Sequence, residues 1–577
     1  MLPQSSPAPL LLSPSARCDQ PDTLRKRSDA RALDRLGLET ALRNHVLPLG
    51  SYGAIRPIAV PSIADFHRME AHLRALFGPV VARIAPPEAI EDEILTMRSA
   101  TLACRAEARA PARESCRTWS GKRFAVGIAL FVGLALFAAI AAPHLVTWAV
   151  TIWAVTTLLA VTGLRTMAAI VQFRHARCLA KTHQRGSPNL RAANQLPRIS
   201  LLVPLFKERD IAQRLINRLS RLDYPRERLE ICLILEWSDT DTERALSTAR
   251  LPNWFRVIRV PDGHLRTKPR AMNYALDFLQ GDIVGIYDAE DAPAPDQLND
   301  VVRAFEGLPE NVACVQGILD FYNASRNWIT RCFTIDYAIW FRVILPGLEK
   351  MGAVVPLGGT TVFFRRTALE SLGRWDAHNV TEDAELGLRL YRRGYRCAFL
   401  PTVTQEEATA TIPTWVRQRS RWIKGYAMTW AVHMRDPLGL MGDLGLARFL
   451  GVQILFLGTL SQFLLAPFLW SFWLVLFGYT HPFVTHAPWS VVIVISSLFL
   501  LSGLVTMVLA ATAVARPGHR WLIKWVPLLN LYFPLAAIAS WKGAIELVVK
   551  PFYWDKTSHG KTEGAKPGAP RISAKPV

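Results

Sequence analysis

A chain of 577 residues with a formal net charge of +20, half of it hydrophobic, has room for several domains and a surplus of cations that first suggests a nucleic-acid partner. The cations instead collect beside two apolar blocks, at Gly121-Lys122-Arg123, Arg165, Arg174 to Arg177, Arg516 to Lys524 and the C-terminal tail. Cytoplasmic loops and anionic headgroups select that placement, so membrane lipids are expected as partners and nucleic acid is not. Eight cysteines with no C-x-x-C pair and no metal-ligand spacing give no support to a disulfide framework or a zinc site.

Residues 1–30, rich in Pro, Ser and Arg, are expected to be disordered, and their apolar piece is too short for a secretory leader. Residues 31–118 are expected to form a small cytosolic α/β module, from the runs Ile58-Ala59-Val60 and Val80-Val81-Ala82 and a helical pattern between His67 and Leu76. The pieces Leu47-Pro48-Leu49-Gly50, Ile58-Ala59-Val60-Pro61, Phe77-Gly78-Pro79-Val80 and Ile90-Glu91-Asp92-Glu93-Ile94 resemble the N-terminal domain of type II secretion ATPases, a relative of which binds cyclic di-GMP. That resemblance implies a regulatory nucleotide or a partner at residues 31–94; a docking or packing module is the plainer reading.

Two transmembrane helices are expected within 124–171, at residues 124–142 and 145–164, each long enough to cross a hydrocarbon core of about 30 Å. Two crossings return the chain to its starting side, so the basic flanks place the following domain, residues 197–435, in the cytosol. Residues 446–549 form a C-terminal transmembrane region with apolar stretches at 449–479, 489–514 and 525–549. Three crossings would leave the basic tail, 550–577, outside. Either the first stretch breaks into a hairpin at Pro467 or the last lies partly in the interface.

Between the apolar blocks, short runs at 199–205, 229–235, 255–260 and 283–287 alternate with helical stretches, which predicts a parallel sheet with ligands at its carboxyl edge. Asp288-Ala289-Glu290-Asp291 crowds three carboxylates after the last of these strands, as a divalent cation holding a diphosphate requires; a solvated turn before Pro293 is the alternative. Thr381-Glu382-Asp383-Ala384-Glu385 reads as a helix cap with first-turn acids, or as a carboxylate placed to accept a hydroxyl proton. Gln418-Arg419-Ser420-Arg421-Trp422 begins a predicted helix with Gln418, Arg421 and Trp422 on one face. That face offers a planar cation for phosphate and an indole for a sugar, or else it is a basic amphipathic helix on the membrane.

These three motifs, in this order before a membrane segment, resemble the family-2 processive glycosyltransferases, including the cellulose synthase catalytic subunit, over roughly residues 197–430. Thr267-Lys268-Pro269-Arg270-Ala271-Met272-Asn273, a glycine strand Leu357-Gly358-Gly359-Thr360 and Pro551-Phe552-Tyr553-Trp554-Asp555-Lys556-Thr557 are similar to a bacterial exopolysaccharide-synthase branch. The resemblance implies an α/β GT-A (Rossmann-like) glycosyltransferase domain inserted between transmembrane helices of a bacterial-type inner membrane. Asp288 and Glu290 would bind Mg2+ or Mn2+ and, through it, a nucleotide-sugar donor such as UDP-glucose or UDP-N-acetylglucosamine. Glu236, Lys268, Gln418 and Arg421 would hold the donor, Asp383 would be the catalytic base, and Trp422 and Glu382 would meet the acceptor, a growing glycan or a lipid-linked sugar. The reaction implied is one inverting displacement that gives a β-linked product, built into a polysaccharide and exported.

The sequence departs from that pattern in two places. Glu290 and Asp291 compete for the second metal position, and Glu236 replaces the usual Asp. A PilZ-like segment and a cellulose-type gating loop are not expected, so control by cyclic di-GMP through that route is not implied. The alternatives are a single-addition transferase and a catalytically silent membrane scaffold. Trp470, Phe472, Trp473, Trp525 and Tyr532 either line a glycan channel or form lipid-facing belts.

Overall fold

Ser62 opens the first crossover of the chain: its hydroxyl accepts from the Asp65 amide and starts the helix Ile63–Phe77, which ends at Gly78 with φ 76°. That helix joins β2 (Arg56–Val60) to β3 (Val80–Ile84) in parallel, and β1 (Leu47–Pro48) pairs antiparallel on the other side of β2. A longer helix, Pro87–Glu107, then leads out of this small sheet toward the large domain. This is a computed structural model, and it describes residues 24, 27–182, 195–208, 212–472, 474, 477–479 and 487–553. The expected disorder before residue 24 and most of the basic tail lie outside the described residues.

Apolar runs make β4 (Ile199–Leu205), β5 (Leu229–Glu236), β6 (Phe255–Val260) and β7 (Ile283–Ile286), all parallel, with nearly every position of β4 and β5 buried. The sheet continues through strands that the periodicity did not disclose: the two-residue β8 (Ala292–Pro293), β9 (Val312–Phe321), β10 (Val362–Arg365) and β11 (Arg396–Glu406). Its order is β6-β5-β4-β7-β10-β9-β11-β8. The four strands expected to be parallel are so, and the added strands make the sheet mixed, because β10 runs antiparallel to both β7 and β9. The helical excursion Trp328–Lys350 between β9 and β10 packs on the helices Pro143–Thr182 and Trp489–Val514 as well as on β9 and β11. The glycine strand is corrected: residues 357–360 form an irregular segment that precedes β10.

Among the described residues, four helices are long and apolar enough to cross a membrane: Gly121–Ala141, Pro143–Arg177, Leu446–Leu464 and Trp489–Val514. The second continues as helix to Thr182, well past the expected end at 164. The stretch expected at 449–479 stops at Leu465 and restarts as the short helix Ala466–Ser471 with Pro467 in its first turn, where a missing N–H costs nothing. The last stretch is a bent pair, Arg520–Tyr532 and Pro534–Val549, with a 44° break. Both of its ends are bound to the α/β domain. His519 Nε2 hydrogen-bonds Asp320 at the end of β9, and Lys424 Nζ donates to the Tyr553 carbonyl at 2.8 Å.

Candidate active site

The carboxyl end of β7 delivers Tyr287, fully buried, and then the acidic turn. Asp291 is wholly inside: its Oδ2 accepts from the Asp288 amide at 2.8 Å and from the Thr360 hydroxyl. Burial, with Asp288 and Glu290 adding their charge, pushes its carboxyl well above the usual range. Asp291 therefore fastens the turn to the β10 segment, and Asp288 and Glu290 are the two of the three that line the cavity. Lys268 Nζ donates to Asp288 Oδ1 at 2.5 Å and to the Gly359 carbonyl at 2.8 Å. Burial opposes its charge, but Asp288, Glu382 and Asp383 outweigh that and hold the ammonium above its ordinary range.

Asp383 enters beside Gly359, in the first turn of the helix Glu382–Arg392, where acids complement the helix dipole. A Cβ on Gly359 would stand 3.0 Å from Asp383 Oδ2, so the glycine segment leaves that oxygen room. Burial raises Asp383, and burial together with the charge of Asp383 raises Glu382 to about 7. The expected capping by Thr381 is corrected: its side chain makes no cap bond, because its amide and hydroxyl are both turned to Asn379 Oδ1. Thr381 instead fits against Gly425.

Gly425 belongs to the helix Ile412–His433, which starts well before the expected Gln418 because Pro413 suits its first turn. Gln418 Oε1 accepts from the Thr409 hydroxyl at 2.8 Å; Trp422 packs by the rings of Tyr337 and Phe333 at 6.1 and 6.4 Å, with the Arg419 guanidinium 4.7 Å over its face. At the end of β5, Glu236 pairs with Arg270 at 3.2 Å, yet burial still lifts it to about 7. All nine residues singled out from the sequence, Glu236, Lys268, Asp288, Glu290, Glu382, Asp383, Gln418, Arg421 and Trp422, line one cavity of about 1170 Å³. The same cavity runs on between the membrane helices, past Leu158, Phe463, Phe499 and Met507. Of the aromatics in doubt, Trp470 and Tyr532 line it, Phe472 packs against Phe468, and Trp525 lies under Arg331. Trp473 is outside the described residues.

Residues 283–519, which carry the acidic turn, Asp383 and the Gln418 helix, match the family model described as glycosyl transferase family group 2. This region is a family-2 glycosyltransferase domain. The chain is 28% identical over 262 residues to the probable glycosyltransferase YdaM of Bacillus subtilis, covering 44% of this chain and 60% of that one. It is 30% identical over 306 residues to the beta-monoglucosyldiacylglycerol synthase of Trichormus variabilis, covering 51% and 61%. To the probable glucomannan 4-beta-mannosyltransferase 3 of Oryza sativa it is 26% identical over 303 residues, 50% of each. The chain thus spans 50 to 61% of the length of these relatives.

Within the family-2 domain the sequence reading missed Glu406, which ends β11, lines the cavity and has a buried Oε1 with no hydrogen-bond partner among the described residues. Burial, with Asp291, Glu290 and Asp288 nearby, raises its carboxyl well above the usual range. The signal that found Asp288, a carboxylate closing a strand, applies equally to Glu406. It went unread because β11 alternates threonines with apolar residues and does not stand out as a buried run.

Proposed function

We propose that the protein is a membrane-embedded inverting glycosyltransferase that uses a nucleotide sugar to extend a β-linked glycan and export it. The observation that carries this reading is the one cavity in which basic, acidic and aromatic side chains meet before it continues between apolar helices. The basic flanks support a cytosolic placement of the family-2 domain in a bacterial-type inner membrane.

Asp288 and Glu290 would hold Mg2+ or Mn2+. Two cavity-facing carboxylates suit a hard cation that takes its remaining oxygens from substrate phosphate, and no group of three or more His, Cys, Asp or Glu converges into a protein-only cage among the described residues. Such an ion supplies positive charge to the departing diphosphate. Lys268, Gln418 and Arg421 contribute hydrogen-bond donors to the same phosphates, and Glu236 faces the nucleoside. Asp383, its Oδ1 held by the Ala384 amide at 2.9 Å, takes the proton of the attacking hydroxyl, with Glu382 and the Trp422 ring orienting the acceptor sugar.

A second reading, single addition to a lipid-linked acceptor, is favoured by the aliphatic and phenyl side chains of the membrane half, Leu158, Phe463, Phe499 and Met507 among them. Inside-out vesicles offered UDP-glucose, UDP-N-acetylglucosamine and related donors with Mg2+ or Mn2+ separate the two. Long polymer that disappears in Asp383→Asn supports the synthase, and one sugar per lipid supports the second reading. No incorporation from any donor refutes the mechanism and leaves a silent scaffold, whereas full incorporation by Asp383→Asn refutes Asp383 as the base.

A further inference from the structure

Glu107, the last residue of the helix Pro87–Glu107, turns its carboxylate onto the loop that follows β6 instead of ending in solvent. Its Oε1 accepts from the amides of His264 and Leu265 at 2.9 and 3.3 Å and lies 3.3 Å from Arg270 Nε. Arg270 is completely buried; its other nitrogens bind Glu236 and the Pro261 carbonyl. One guanidinium is therefore shared by a carboxylate of the N-terminal module and a carboxylate of the cavity. A Cβ on Gly263 would stand 2.5 Å from both Arg270 Nη2 and Glu107 Oε1, so the knot closes tightly only over glycine.

The grip extends along the helix Lys268–Leu276, whose first residue holds Asp288. Asn273 donates to the carbonyls of Ala106 and Trp375 at 2.9 and 2.8 Å, and Arg109 takes both oxygens of Asp277 at 2.5 and 2.8 Å. Farther on, Ser115 and the Cys116 amide bind Asp376 at 2.8 and 2.6 Å, just ahead of the segment that leads to Asp383. Residues 106–116 thus brace, from behind, the helix that carries Lys268 and the segment that leads to Asp383, without lining the cavity.

We propose that residues 106–116 are a strap that positions the donor half of the site, with Glu107 as the positioning residue for Arg270, Glu236 and the start of the Lys268 helix; this rests on the donor reading given above. A buried guanidinium is tolerated only while carboxylates satisfy it, and removing one partner leaves charge uncompensated. With Glu107 neutralised, two amides of the loop 261–266 keep only an uncharged acceptor, and Glu236 alone answers the charge of Arg270. Donor binding weakens equally in ground and transition states, which raises the donor KM and leaves kcat nearly unchanged.

The test uses the full chain in detergent or vesicles, with UDP and GDP as binding probes and donor kinetics alongside. Glu107→Gln and Gly263→Ala are expected to weaken nucleotide binding and raise the donor KM by about tenfold, on the scale of one charged hydrogen bond. Glu107→Asp should recover part of the loss. Glu91→Gln, which breaks the pairing of the same module with Arg256 away from the cavity, should leave the donor KM as it is. Wild-type nucleotide binding together with an unchanged KM in folded Glu107→Gln, or an equal rise in Glu91→Gln, overturns the strap alone. A wild type that binds neither nucleotide overturns the donor reading and the strap with it.

Discussion

Glu382 and Asp383 sit side by side in a buried turn, and they cannot both ionise as freely as isolated acids. Asp383 loses its proton first; Glu382, held back by burial and then by the charge of Asp383, follows at about 7. A pH–rate profile is expected to show an inflection near that value which vanishes in Glu382→Gln, while the lower limb due to Asp383 remains. An inflection unchanged in the Gln variant refutes the assignment. The linked stability has the opposite sense: an acid raised on folding contributes fully below its unfolded value, and its contribution is lost as pH rises through about 7. The acidic turn gives a second contrast. Glu290→Gln should raise the metal concentration needed for half-maximal activity about tenfold, since it removes one of two cavity-facing carboxylates. Asp291→Ala should instead destabilise the fold by about 1–3 kcal/mol in denaturant melts, because it leaves the Asp288 amide unpaired and the Thr360 hydroxyl with only the Ile286 carbonyl as acceptor. Equal metal responses in the two variants would show that Asp291 is a ligand after all.

Helix packing fixes where those residues stand. Gly425 lies where the Ile412–His433 helix crosses the segment before Asp383, and any Cβ there overlaps Thr381. Gly425→Ala is expected to lower kcat about tenfold or more by displacing Asp383, with nucleotide binding retained; normal turnover would show that the segment adapts. Contacts of this kind explain what the sequence disclosed and what it withheld. Buried parallel strands announce themselves by continuous apolar runs, and β4 to β7 lie within a residue of where those runs stand. β10 is four residues long and β11 is half polar, so neither carries a run, and strand direction is set by where the intervening helices pack. The three acidic and basic motifs were legible because their residue types are costly without a ligand. The helix start at Ile412 was hidden by attention to Gln418, although Pro413 marks it. Glu107 and Arg270 were unreadable as a pair, since only the fold brings residues so far apart in the chain together.

Across the whole molecule, the positive-inside conflict posed by three C-terminal stretches is relieved by the anchoring of the last one. His519 and Tyr553 are both held by the α/β domain, so if the four apolar helices are the crossings, Arg520–Val549 is expected to leave from and return to the same face, with the described ends of the chain on that side. Cysteines introduced one at a time at Leu438, Gly518 and Tyr553, in a background with Cys18, Cys104 and Cys178 replaced by Ser, should all react with an impermeant maleimide from the domain's side. Labelling of Gly518 and Tyr553 from opposite sides would mean that the bent pair crosses. If the pair stays on one face, the cavity wall it forms with Tyr532 and Pro534 is only one leaflet deep. An amphiphile confined to that leaflet then meets the site by lateral diffusion in two dimensions. Its supply is set by its mole fraction among the surrounding lipids, and diluting the aqueous phase leaves the rate untouched.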